Sequence, residues 1–198
     1  MKTKQDKQAK AIKTHNKHFQ KATRAGKRVM VAKDALERVL NKQLSVECGL
    51  WCDVIDNRNR KEEEIEKKDE TVEFQEIILS NQLGKKITCQ VCAVGALFVS
   101  AVSFKNRCKI EWDCGYYFST DEAFHSEQLT SLFSEKQRLL IENAFECGGG
   151  FTTANESKLL SDKDDNKTAL FGESYKNDGK RLIAILKNII QNRGTFKP

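Results

Sequence analysis

Proline is almost missing from this sequence: Pro198, the final residue, is the only one. No interior stretch is therefore barred from helix by a ring that removes an amide donor and clashes with the preceding turn. Histidine is nearly as scarce, with three residues of which only His125 lies beyond position 18, so imidazole chemistry has little material to draw on. No apolar stretch follows the first lysines, and the most apolar run, residues 91–104, is about four residues short of a membrane span. Phosphate-loop, dinucleotide and zincin patterns are lacking, as is any internal repeat. These absences predict a soluble protein of the cytoplasm with no membrane and no cofactor.

What is present is enough for one core. The chain has 198 residues, 39% of them hydrophobic and 31% charged, which fits a single globular domain with a heavily charged surface. Seven cysteines could form a disulfide framework, but the odd count and the lack of a leader predict reduced thiols packed as small hydrophobes.

The charge is lopsided. Residues 1–28 hold eight Lys and two Arg against Asp6 alone, a net +9 where the whole chain carries +6, leaving −3 for residues 29–198. The expected organisation is thus a basic N-terminal extension over residues 1–28 and a mildly acidic domain over residues 29–198. Only Ile12 and Phe19 in the extension are large and apolar, too few to offset the entropy of ordering it. It is expected to be mobile, or helical only on a partner, and its removal to leave the fold intact. Its clustered charge makes Lys10, Lys13, Lys17, Lys21, Arg24, Lys27 and Arg28 the candidate contacts for nucleic acid or an acidic partner, since such side chains release counterions from a polyanion.

Periodicity predicts a mainly α fold, or α+β with a small sheet. Residues 29–44 carry an apolar stripe at Ala32, Ala35, Leu36, Val39 and Leu40, and residues 181–192 carry another at Leu182, Ile185, Leu186, Ile189 and Ile190, closed by Gly194. Ser134 and Gln137 have capping-box spacing and start a helix that Gly148 to Gly150 stop. Residues 88–104 are apolar nearly all round and predict a helix buried at the centre. Short strands are expected within 45–59, near Val72 and within 109–118, and a short helix from Ser126. Residues 152–180 are polar and predict a long surface loop.

Several constellations could carry chemistry. Cys89-x-x-Cys92 has zinc-ligand spacing, and Cys48 with Cys52 or Cys108 with Cys114 could supply a second pair; the irregular spacing and apolar setting favour packing, so no metal site is assigned. His125, after Asp121 and Glu122, could act as a base toward Cys114, but no nucleophile motif accompanies it and no catalytic residue is assigned. Trp51, Trp112, Tyr116 and Tyr117 could form a binding surface, yet large aromatics more often fill cores.

The segments CQVCAVGALF at 89–98, QLTSLFSEKQRLLIENAFE at 128–146 and RLIAILKNIIQNRGTFKP at 181–198 resemble a family of small proteins of tailed phages and prophages that carry a Cys-Ala-x-Gly-Ala-Leu segment. The resemblance covers about half the chain, and because it rests on core-like segments it implies a shared fold more than a shared activity. It implies a non-enzymatic phage accessory protein that binds a host or phage macromolecule, in the host cytoplasm. Capture of a small nucleotide signal, as in an anti-defence protein, is the alternative, and it requires a pocket where basic and aromatic residues converge. Binding of nucleic acid through the basic extension is a third. Nothing in the pattern specifies an oligomeric state.

Overall fold

A computed structural model of the protein describes residues 16–49, 52–56, 72–73, 87–104, 109–110, 116–117, 126–148 and 159–198. The fold is mainly helical with a small mixed sheet. Helix α1 (Arg24–Leu40) begins five residues before the expected start at residue 29, because Thr23 accepts the Gly26 amide at 3.1 Å and closes the first turn. Its apolar stripe buries Val31, Ala32 and Ala35. The helix ends before residue 44 because Lys42 turns into the left-handed region and Leu44 enters a strand.

Four strands form the main sheet in the order β1 (Leu44–Val46), β4 (Ile87–Val91), β2 (Cys52–Asp56) and β6 (Tyr116–Tyr117). β1 runs parallel to β4 with Leu44 opposite Cys89, while β2 runs antiparallel to both β4 and β6. A separate antiparallel pair joins β3 (Val72–Glu73) to β5 (Lys109–Ile110). The charged stretch at 58–70 lies outside the described residues.

The apolar run at 88–104, expected as one helix, is a strand followed by a helix: β4 ends at Val91, and α2 (Ala93–Phe104) follows across Cys92. Every residue of α2 is buried, so its place at the centre stands while its start moves. A continuous apolar run fits a buried strand as well as a buried helix, and β-branched Ile87, Thr88 and Val91 favour the strand. At the junction the Cys92 sulfur accepts the Gly95 amide at 3.3 Å, the bond a helix cap makes.

Helix α3 (Glu127–Thr130) leads to α4 (Glu135–Phe145). Ser134 caps α4 by accepting the Gln137 amide. Gln137 does not complete the box; its side-chain amide instead donates to the Phe196 carbonyl and accepts the Phe196 amide, at 3.2 and 2.7 Å. α4 ends where Cys147 and Gly148 take positive φ angles, as the glycine run implied for its first member; Gly149 and Gly150 lie outside the described residues.

The loop expected over 152–180 is corrected from Ser161 onward. It holds α5 (Asp162–Glu173) and the start of α6 (Asp178–Gln191). Ser161 and Asp164 make a full capping box, and Asp162, Asp164 and Asp165 place negative charge on the first turn, where the helix dipole favours it. The polarity that suggested a loop is thus an N-terminal signal. The bond from Lys136, at 2.8 Å, and those to Ser161 hold the Asp164 carboxyl below its usual range. α5 packs on α4 without an apolar stripe. It buries Thr168, which accepts from Asn143 at 2.8 Å, and Gly172, where a Cβ would collide with the Ala144 carbonyl oxygen.

Residues 16–28 of the N-terminal extension pack as part of this body. Residues 16–21 are helical, and Phe19, 2% exposed, stacks on Phe104 of α2 with ring centroids 4.6 Å apart. The boundary expected at residue 28 falls inside α1. Removing residues 1–28 would take away Phe19, the Thr23 cap and the first turn of α1, so the expected tolerance of that deletion is reversed. Replacing Phe19 with Ala should lower the free energy of unfolding by about 3 kcal/mol, measured by urea denaturation; a change within about 0.5 kcal/mol would mean that the ring contributes nothing to the core.

Candidate functional site

The seven candidate basic residues divide by what holds them. Lys10 and Lys13 lie outside the described residues. Lys17 and Lys21 are exposed, one turn apart on the 16–21 helical segment. Arg24 donates from Nε to the Leu132 carbonyl at 2.9 Å and reaches the Thr130 carbonyl at 3.4 Å, so it closes the C-terminal end of α3. Lys27 places its ammonium 5.6 Å from the Phe19 ring centre, a cation–π contact that helps fix the ring. Arg28 is half-buried. Desolvation, then repulsion from Arg24 one turn away, pull its guanidinium below its ordinary value, although an arginine stays charged after such a shift. Of the five described candidates, Arg24 thus bonds to the body and Lys27 packs over Phe19, while Lys17 and Lys21 stand exposed.

Among the described residues, the thiols with possible zinc-ligand spacing are built into the fold. Cys89 and Cys52 are buried on neighbouring strands. Cys92 caps α2, and burial pushes its thiol up to about 12. Cys48 sits in the turn after β1, where its thiol donates to Glu146, its amide donates to Asp178 at 3.1 Å, and the Gly49 amide donates to Glu146 at 3.1 Å. This turn is fastened to the end of α4 and the start of α6. Partial desolvation first, then the bond to Glu146 and its negative charge, raise the Cys48 thiol to about 12. A thiol held protonated is a poor nucleophile near neutral pH. Among the described residues no three or more His, Cys, Asp or Glu side chains come together as a metal site. His125, Asp121, Glu122, Cys108, Cys114, Trp51 and Trp112 lie outside the described residues; Tyr116 and Tyr117 belong to β6.

One concavity was not legible in the sequence. α5 and α6 meet at residues 174–177 and leave a surface groove of about 470 Å³ lined by aromatic and lysine side chains. It could not be found while 152–180 was read as a loop, because Phe171 and Tyr175 converge with α6 only if α5 is a helix.

Comparison with protein-family models, with curated proteins and with solved structures finds no match to this chain. No helix among the described residues is long and apolar enough to cross a membrane.

The raised thiols have a pH consequence. The native state keeps protons on Cys48 and Cys92 that an unfolded chain releases above about 9, so this stabilisation is present below pH 9 and declines as pH rises toward 12. Replacing Glu146 with Gln removes the charge that helps hold the Cys48 proton. Alkylation of Cys48 by iodoacetamide at pH 8, followed by peptide mass spectrometry, should then quicken by about tenfold for each pKa unit recovered. An unchanged rate would assign the protection to desolvation alone.

Proposed function

We propose that the protein is a non-enzymatic accessory protein of the tailed-phage type that acts in the host cytoplasm and binds an anionic macromolecule, with nucleic acid as the partner its charge fits most simply. The observation that carries this reading is the display of Lys17 and Lys21 on a helical segment docked on the body by Phe19. A docked segment loses less entropy on binding than a free tail, and each lysine that meets a phosphate releases counterions. Lys10 and Lys13 lie just upstream in the sequence and extend the same basic run.

The phage-type part rests on the segments at 89–98, 128–146 and 181–198. They hold the Cys92 cap and half of α2, the Ser134-capped helix, and the stripe of α6, so they bear on fold. Nucleic acid is distinguished from an acidic protein by direct titration with a duplex, whose released counterions set the salt slope. A short fluorescent duplex titrated with the full-length chain at increasing salt should show affinity falling steeply. The double change Lys17→Gln and Lys21→Gln should flatten the slope of log K against log salt by about 2 without altering the melting temperature. No binding at low salt, or an unchanged slope, would refute the reading.

A further inference from the structure

The groove between α5 and α6 combines two kinds of side chain that seldom face one cavity without a reason. On one wall Phe171 meets Tyr175 at 5.4 Å between ring centres, tilted by 51°, and meets Phe196 edge-on at 5.2 Å and 88°. Phe196 is 1% exposed, so a core residue fixes the angle at which Phe171 presents its ring. The platform is held in place before any ligand arrives, which lowers the ordering cost of binding.

The other wall is α6. Lys180 and Lys187 are seven residues apart, two helical turns or about 10.5 Å along one face. Ile183 and Ala184 lie between them, and all four line the groove. Both lysines are exposed, no carboxylate lines the groove, and neither lysine makes an ion pair with a described residue. Asn188 also lines the cavity, but its side chain is committed at both ends to the backbone of Lys197, at 2.7 and 2.9 Å. Gln191 is the remaining polar side chain at that end.

An aromatic platform beside uncompensated positive charge and a short aliphatic floor is complementary to a planar ring that carries an anion. The volume lies within the range of small-molecule sites. We propose that this groove binds a nucleoside phosphate, with the base against the Phe171–Tyr175 pair and the phosphate between Lys180 and Lys187. Inorganic phosphate would use the lysines and leave the rings unused; an uncharged apolar ligand would do the reverse. The nucleoside phosphate can be a free nucleotide or the terminal residue of a single strand, and the site is separate from the residues Lys17 and Lys21 on which the polyanion reading rests.

The test uses the full-length chain, with AMP, ADP, inorganic phosphate and a short oligothymidylate titrated calorimetrically. A nucleotide should bind with Kd below about 1 mM and resist displacement by equal phosphate. Tyr175→Ala, which removes the stacking ring, and Lys187→Gln, which removes one charge from an exposed position, should each weaken binding about tenfold. Lys17→Gln with Lys21→Gln should leave the binding of AMP and ADP unchanged, whatever it does to the oligothymidylate. Lys187→Gln keeps the test decisive if Tyr175→Ala lowers the melting temperature. Preference for mononucleotides identifies a free ligand, and preference for the oligonucleotide with the same dependence on Lys187 identifies a strand end. Absence of nucleotide binding, equal competition by phosphate, or indifference to Lys187→Gln would overturn the proposal.

Discussion

A helix with no wet face dictates the arrangement of everything around it. α2 is buried along its whole length, so each side must be covered by an element whose own apolar surface is turned inward. α1 supplies small side chains, Ala32 and Ala35, that permit close packing. α3 and α4 cover another side, strands β2 and β4 support a third, and Phe19 closes on Phe104. Peptide groups at the start of such a helix cannot reach bulk water, and the Cys92 sulfur serves one of them. The same residue that suggests metal chemistry in a linear reading is thus consumed by a backbone requirement.

Away from α2 the packing changes character. α4 and α5 meet through Gly172, Thr168 and Asn143 rather than through an oily seam. Arg181, 9% exposed, secures the ends of this pair by donating to the Phe145 carbonyl at 2.7 Å, the Gly172 carbonyl at 3.1 Å and the Asp178 carboxylate at 3.1 Å. A buried guanidinium is tolerated when several acceptors surround it, and here they are the exposed carbonyls of helix C-termini. The groove exists because this tie holds α5 and α6 at a fixed angle around the 174–177 turn.

Elements with a one-sided apolar stripe were legible in the sequence. α6 buries four of the five positions its periodicity names and leaves Ile190 half-buried, whereas α1 buries only Ala32 and Ala35 of its five, with Leu36 and Val39 half-buried and Leu40 exposed; the start of α4 is marked by Ser134. The runs at 87–104 and 162–173 failed for opposite reasons: the first is apolar on all faces and loses its period, the second buries small and polar groups and never shows one. Charge picked out the basic residues but not their fate, since binding a carbonyl and binding a partner both call for the same arginine. Phe19 is one of only two large apolar residues in the extension, a context that gives no sign that Phe104 receives it. The groove depends on α5 and was invisible with it.

The pairing of α1 with α6 joins helices near opposite ends of the sequence. α1 covers α2 and is itself held by α6, so the shield over the most apolar helix cannot be secured until α6 has been synthesised. Closing so long a loop makes assembly slow relative to a bundle of sequence neighbours. During translation α2 therefore emerges before its cover is locked, and its apolar surface must stay uncovered for that interval.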